Sequence, residues 1–369
     1  MRIELAEKLL VKIMEWSAEE VSEERPLLQA LANFKFDEYQ QFAPGIRFIE
    51  SLAQWLNQFE TIEDRNVAYE FLKQNLIFIS NNQILQLVNL SFSIFIKPKL
   101  ISKSAGILNS NKFHIKKIID SDVYKDMMRK SIFIGLSDGS RIDQLRRFAK
   151  LSNEQVLTSY FIDSEKINEL KEELKRESSS DKFCTIFLVD DFTASGTSYA
   201  RISGDGLFKG KLIKLLKKIY AHIKEDDQTQ LSEMFDFKSL SIHIVFYIAT
   251  EEAIQNITSV LDKFNKHMRL NIDFTIEAVQ MLEVSVKNSI IENTKLISLI
   301  SQPKYFDDSI VDKHFKISGK FDKPYLGFNE CALPLVLNHN TPNNSLPIIW
   351  LYEDKNIKGL FPRITRHKE

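Results

Sequence analysis

The chain has 369 residues, 44% of them hydrophobic and 27% charged, which supplies apolar material for a sizeable core and excludes global disorder. A formal net charge of -1 excludes a general electrostatic pull toward nucleic acid or an anionic membrane, so such contact would need a local basic patch. The two cysteines, Cys184 and Cys331, sit in apolar neighbourhoods without a thiol or histidine at ligand spacing, which excludes a disulfide framework and a structural zinc.

From the N-terminus, acids are mixed among apolar residues, unlike a targeting peptide, and no apolar run reaches the roughly 18 to 20 residues of a membrane span. The expected compartment is the cytoplasm. From Ile3 to about Leu100 apolar residues recur at helical spacing, as in Leu5, Leu9, Ile13, Trp16 and again Phe48, Leu52, Trp55, Leu56. Pro26, Pro44 with Gly45, and Thr61 ahead of Glu63 and Asp64 supply helix breaks and caps. Lys97-Pro98-Lys99 and Ser102 to Asn111 read as a connection out of this region. Residues 1–105 are therefore expected to form an all-helical N-terminal region.

From about Phe113 short apolar strands alternate with helical stretches, which predicts a parallel sheet flanked by helices over residues 106–302. The strands are Ser131 to Leu136, Gln155 to Phe161, Cys184 to Val189, Ser241 to Ala249 and Ile272 to Ala278. Helices are expected over Ile142 to Lys150, Ser164 to Arg176, Leu207 to His222, Glu251 to Lys266 and Ser289 to Ser301. Ser178 to Asp181 and Glu225-Asp226-Asp227 read as solvated loops. The lysines 209, 211, 214, 217 and 218 read as one solvated helix face, and His243 as a packed strand residue. The tail, 303–369, holds six of the nine prolines. Its two apolar runs, Ala332 to Leu337 and Leu346 to Trp350, contain proline and read as edge strands or a cap around the polar stretch Asn338 to Asn344.

Six of the 11 glycines fall between 135 and 210, the window where backbone turns tightly or approaches a ligand. There Ile186 to Val189 form a buried-strand run that stops at Asp190 and Asp191. The small-residue turn Thr193-Ala194-Ser195-Gly196-Thr197-Ser198 follows, ahead of an expected helix start. Vicinal sugar hydroxyls need strong acceptors, which carboxylates are, and a phosphate needs several N–H and O–H donors with no obstructing Cβ. Two other readings fit the same residues: a double acid that binds Mg²⁺ or accepts phosphate, and a purely structural turn whose acids face opposite ways. One β-α-β-α unit earlier, Ile132 to Leu136 lead into Ser137-Asp138-Gly139-Ser140-Arg141 and another helix start. That loop offers a close backbone approach and a cation.

The stretch LVDDFTASGTS resembles the phosphoribosyl-pyrophosphate motif of type I phosphoribosyltransferases, except that Phe192 and Thr193 stand where that family has small aliphatic residues. The resemblance implies that Asp190 and Asp191 bind the ribose and that Thr193, Ala194, Ser195, Gly196, Thr197 and Ser198 bind its 5-phosphate. Ser137, Asp138, Gly139, Ser140 and Arg141 would then bind the pyrophosphate. It also implies Mg²⁺ carried on the ligand, not on metal-binding residues of the chain, and no side-chain nucleophile. The family's mobile catalytic loop has no evident counterpart. The tail, with Leu337 to Trp350 and Leu360 to His367, resembles phosphoribosyltransferase-like proteins of bacterial conflict and antiviral defence loci. On that likeness His339, Asn340, Asn343 and Asn344 would contact a base, and Arg363 and Arg366 an anion. The plainer alternative is that the asparagines cap turns and His339 is an ordinary loop histidine. The implied function is transfer or hydrolysis of a phosphoribosyl group by a defence effector. The alternative is a non-catalytic nucleotide sensor signalling through the helical N-terminal region to protein partners, with no membrane and no indicated nucleic acid.

Overall fold

The computed structural model describes residues 3–159, 161–220, 230–306, 310–317, 320–351 and 357–363. The chain packs as two units, Ile84–Leu282 and the combination of Met1–Gln83 with Glu283–Glu369. Boundaries expected near 105 and 302 thus fall at 83/84 and 282/283. The strands are β1 (Ile77–Ile79), β2 (Ser131–Gly135), β3 (Val156–Leu157), β4 (Thr185–Thr193), β5 (Arg201–Ile202), β6 (Phe208–Lys209), β7 (Ser241–Thr250), β8 (Asp273–Leu282) and β9 (Leu335–Leu337).

Unit Ile84–Leu282 is built on an all-parallel sheet in the order β3-β2-β4-β7-β8. The central strands β2 and β7 are buried along their whole length, as the apolar runs require of strands covered on both faces. On one face Ile132, Ile134, Ile186, Leu188, Ile242 and Ile244 pack against the helices Ser164–Glu177, Lys211–Ile219 and Glu251–Met268. On the other face Phe133 and Phe187 stack with ring centroids 5.1 Å apart, and Phe187 meets His243 at 5.2 Å.

That second face is covered by the helical segment Asn81–Ile107, which contains a π-helical stretch, Ser91–Ile96, in its middle. The Lys97–Lys99 connection expected from Pro98 does not exist. Proline cannot donate to an α-helical turn, and the wider π-turn just before it, closed by Lys97 N–H to Phe92 O, absorbs the missing bond. Against the sequence expectation, this helix is long and apolar enough to cross a membrane by length and composition alone, with mean hydropathy 1.4 in its best window. Its polar groups instead reach the sheet: Lys99 pairs with Glu277 at 3.0 Å, and Lys103 donates to Thr185 and Ser241.

Two further expectations change in this unit. The expected strand Gln155 to Phe161 shrinks to β3, because Ser152 and Gln155 form a capping box that turns the chain and the Gln155 amide donates to Met128 O and Ser131 O. Tyr160 lies outside the described residues. The expected helix from Leu207 starts only at Lys211, since β5 and β6 form a small antiparallel hairpin first. His222 and the loop Glu225 to Asp227 also lie outside the described residues.

In the other unit the N-terminal helices Ile3–Met14, Ala18–Phe34, Phe48–Asn57 and Ile62–Gln74 bury their apolar stripes in one core. Ser17 and Glu20 form a capping box and Thr61 caps the fourth helix through Asp64 N–H. Pro26 does not end its helix. The unit is not all helical: β1 pairs in parallel with β9, so the Ala332 to Leu337 run finds its partner near the N-terminus. Phe361 then sits among Phe36, Tyr39, Phe42, Phe48 and Phe78 with centroid distances of 5.2–5.9 Å. The tail is therefore part of the N-terminal core. Its second apolar run is a short helix, Pro347–Trp350, for which proline at the first turn is favourable. The expected helix Ser289 to Ser301 is split into Val284–Ile291 and Thr294–Ile300, with Asn293 capping the second.

Candidate active site

Strands β2 and β4 pair from Ser131↔Thr185 to Gly135↔Val189, where β2 stops. β4 runs on to Thr193 with β7 alone beside it, through Asp190↔Phe246, Phe192↔Ile248 and Thr193↔Ala249. The chain leaves β2 toward β3 on one side and β4 toward β7 on the other, so a crevice opens between the carboxyl ends of β2 and β4. Ligands of open parallel sheets bind at such a switch point. The two loops picked out in the sequence, 137–141 and 190–198, form its two walls.

They are joined from both sides of the sheet. Asp190, on the face of Ile186 and Leu188, is 0% exposed and both its oxygens are engaged. Ser137 Oγ donates to Oδ1, as does the Asp191 N–H at 3.1 Å; Tyr199 OH donates to Oδ2 at 2.7 Å, and Lys211 Nζ lies 3.4 Å from it. Burial, reinforced by the neighbouring charge of Asp191, pushes the Asp190 carboxyl up to about 6, against the opposing pull of Lys211, Ser137 and Tyr199. Asp191 is half-buried and lies against Gly139 of the facing loop, where any Cβ would collide with its carboxylate. Its Oδ1 accepts from Phe192 N–H at 2.8 Å. The two acids do point to opposite faces, as in a regular strand, yet both lie at the wall of one crevice.

The opposite wall is set by Tyr247, buried near the end of β7, whose hydroxyl donates to Ser140 O at 2.5 Å. Burial and the two aspartate charges hold the hydroxyls of Tyr199 and Tyr247 well above the usual tyrosine range, so both remain donors. Gly135 lets the loop fold back, since a Cβ there would lie 2.5 Å from Ser140 Oγ. Arg141 adopts a left-handed conformation, φ 47°, at the start of the helix Ile142–Ala149, and its charge acts on Tyr247. Asp138 is the exposed residue of the loop.

The loop Thr193 to Ser198 departs from expectation in two respects. It does not open a helix: Gly196 O accepts from the N–H groups of Tyr199 and Ala200, which closes one turn, and the β5–β6 hairpin follows. A phosphate here would meet backbone N–H groups and hydroxyls without a helix dipole behind them. Gly196, φ 74°, is required by protein packing, because a Cβ would lie 2.8 Å from Ile257 and 2.9 Å from Ala253 O of the helix Glu251–Met268. That helix also fixes the loop through Thr250 Oγ1 to Ala194 O at 2.5 Å and Asn256 Nδ2 to Ser195 O at 3.1 Å. Ser195 and Thr197 share a hydroxyl contact at 2.9 Å, Thr197 O accepts from Arg201, and Ser198 is exposed.

Tyr199, Lys211 and Tyr247 were missed by sequence reasoning. Lys211 was grouped with a solvated helix face, although it opens that helix and its ammonium lies 4.9 Å from the centre of the Tyr199 ring. Tyr247 had a readable signal: a polar tip two residues past Val245, the partner of Val189. The tail candidates lie in the other unit. Asn344 Nδ2 donates to Phe328 O at 3.1 Å, and Asn343 O accepts from Phe328 N–H at 2.8 Å. His339 O accepts from Gln41, Asn340 N–H returns to Leu337 O, and the Arg363 guanidinium stands 5.9 Å from the Trp350 ring centre. Arg366 lies outside the described residues.

A parallel sheet of this order, with an acid pair and a small-residue loop at its switch point, defines a phosphoribosyltransferase-like α/β protein. The PRTase-CE family model matches residues 52–363, and the chain belongs to that phosphoribosyltransferase-like family. No curated protein and no solved structure matches the chain.

Proposed function

We propose that the crevice binds phosphoribosyl pyrophosphate or a related nucleotide and that the protein transfers or hydrolyses its phosphoribosyl group, as an effector of bacterial antiviral defence. The observation carrying this reading is the convergence of loops 137–141 and 190–198 at the β2/β4 switch point, locked by Ser137 to Asp190. Asp191 accepts the ribose hydroxyls. Asp190 positions it by tying Ser137, Tyr199 and Lys211 into one buried cluster. The N–H groups and hydroxyls of Thr193 to Ser198 hold the 5-phosphate, and loop 137–141 with Arg141 takes the pyrophosphate. Lys211, with a third of its side chain exposed, supplies a cation beside them.

Among the described residues no group of three or more acids, histidines or cysteines is placed to hold a metal ion. Mg²⁺ would ride on the ligand's own oxygens with Asp191 alongside, where it would neutralise the leaving pyrophosphate. The chain's own part is to orient the sugar and to hold charge in fixed positions, which needs no side-chain nucleophile.

Incubation with phosphoribosyl pyrophosphate and Mg²⁺, with and without a nucleotide-depleted cell extract, is expected to release pyrophosphate. Saturable binding without release would replace the enzyme reading by the nucleotide sensor. Absence of both binding and release would sink the site.

A further inference from the structure

The opposite, amino-terminal end of the same sheet carries a second opening, a cavity of about 560 Å³. That is within the range of small-molecule pockets, roughly 300–1,000 Å³. Its floor is apolar: Val123 and Met127 of the helix Asp122–Arg129, Ile107, and the Cys184 thiol, 3.6 Å from Met127 Sδ. Three lysines, Lys103, Lys130 and Lys182, and two aspartates, Asp126 and Asp236, stand around it.

The five charges are not equivalent. Asp126 is engaged by Lys130 at 2.7 Å and by Ser179, and Asp236 by Ser239 Oγ at 2.7 Å and the Lys238 N–H. Both carboxyls are held below their usual range by these bonds. Lys103 differs. Its ammonium donates to Thr185 Oγ1 at 3.1 Å and to Ser241 Oγ, the first residues of β4 and β7, and pairs with no carboxylate among the described residues. Burial lowers its proton affinity; the charge of Asp273 opposes this and that of Lys99 adds to it, while burial keeps the Cys184 thiol protonated and so no counter-charge. An ammonium has three N–H groups, so two hydroxyls leave one donor and the whole charge without an anionic partner. Lys103 is half-buried, so an anion that displaces water from the cavity would pair with this charge where solvent screens it least.

We infer that this cavity is a binding site for a small amphipathic anion, a carboxylate or phosphate ester with an apolar or aromatic body, whose head pairs with Lys103 and whose body lies over Val123, Met127 and Cys184. The site is separate from the β2/β4 crevice. The two occupy opposite ends of β4, Thr185 and Asp190, and neither reading depends on the other.

The test uses the full chain with ¹³C-methyl-labelled methionine, the Met127 signal being assigned with Met127→Leu. Benzoate and phenyl phosphate serve as probes of the two head groups, and benzamide as a neutral isostere. One or both anions are expected to shift the Met127 methyl saturably, with at least tenfold tighter binding than benzamide; whichever binds tighter names the head group. Lys103→Met should weaken the anion at least tenfold and Lys103→Arg should restore it. Because Lys103→Met alters buried packing, Val123→Trp, which fills the cavity while the far end of the sheet is left intact, gives a second route and should abolish the shift. Equal response to benzamide, no saturable shift with either anion, or an undiminished shift in a folded Lys103→Met or Val123→Trp variant would overturn the assignment.

Discussion

The end of β4 and the Asn338 to Asn344 stretch of the tail look alike as sequence, each a run of small and polar residues after an apolar strand, and they differ as structure. At the end of β4, Ser137, Asp190, Asp191, Tyr199, Lys211 and Tyr247 arrive from five separate segments and converge on one crevice. In the tail, Asn343 and Asn344 close a loop onto Phe328, and Asn340 turns back on Leu337. Polar residues close in sequence can all be consumed by the turn they build. A site arises where separate strands bring polar groups together at a place the topology leaves open. Two side chains in the tail depart from this: the Asn338 amide is 1% exposed with neither of its atoms hydrogen-bonded, and the buried Asn340 Oδ1 also has no hydrogen-bond partner among the described residues.

If the tail is scaffold, Phe361→Ala, which empties the centre of its aromatic cluster, should lower stability by about 3–5 kcal/mol in denaturant unfolding while ligand affinity per folded molecule stays unchanged. Asp191→Ala should act the other way round. Losing two charge-assisted hydrogen bonds to the ribose, about 3 kcal/mol together, should weaken phosphoribosyl pyrophosphate at least ~100-fold by calorimetry with little change in melting temperature. An unchanged affinity would remove the ribose from this position. Gly196→Ala forces a left-handed residue against Ile257 and Ala253, and should cost about 2 kcal/mol of stability together with a measurable loss of affinity.

Asp190 tests the same contrast through pH. Its folded carboxyl is raised to about 6 from an ordinary value of 3.8, so between those values the folded state holds more proton than the unfolded state. Stability from this group therefore rises as pH falls from about 6 toward 4. Wild type should gain on Asp190→Asn over that window in parallel urea titrations, and a constant difference would show that the carboxyl is not raised. The smallest effect is expected at Asn338: replacing an unbonded buried amide by leucine should change stability by no more than about 1 kcal/mol and leave the ligand untouched. A loss of binding in Asn338→Leu would move the site toward the tail.

Much of the α/β unit was legible because its signals are local. Apolar runs marked β2, β4, β7 and β8 within a few residues, and the acid pair marked the end of β4. What was not legible depended on distant partners. The pairing of β1 with β9, and the seat of Phe361 among N-terminal rings, have no periodicity to announce them. Pro98 read as a break because the π-turn that accommodates it is set by packing on the sheet. Lys211 read as a surface charge because its partner, Asp190, is 21 residues earlier on another element. Asp190 and Asp191 read as equals, and only the alternation of strand faces, with Tyr199 on one side and Gly139 on the other, gives them different work.

The most direct measurement is a crystal structure of the protein with phosphoribosyl pyrophosphate and Mg²⁺. Density for the sugar is expected between loops 137–141 and 190–198, with the ribose hydroxyls on Asp191 and the 5-phosphate over Thr193 to Ser198. Density at the tail, in the amino-end cavity, or nowhere at saturating ligand would contradict it.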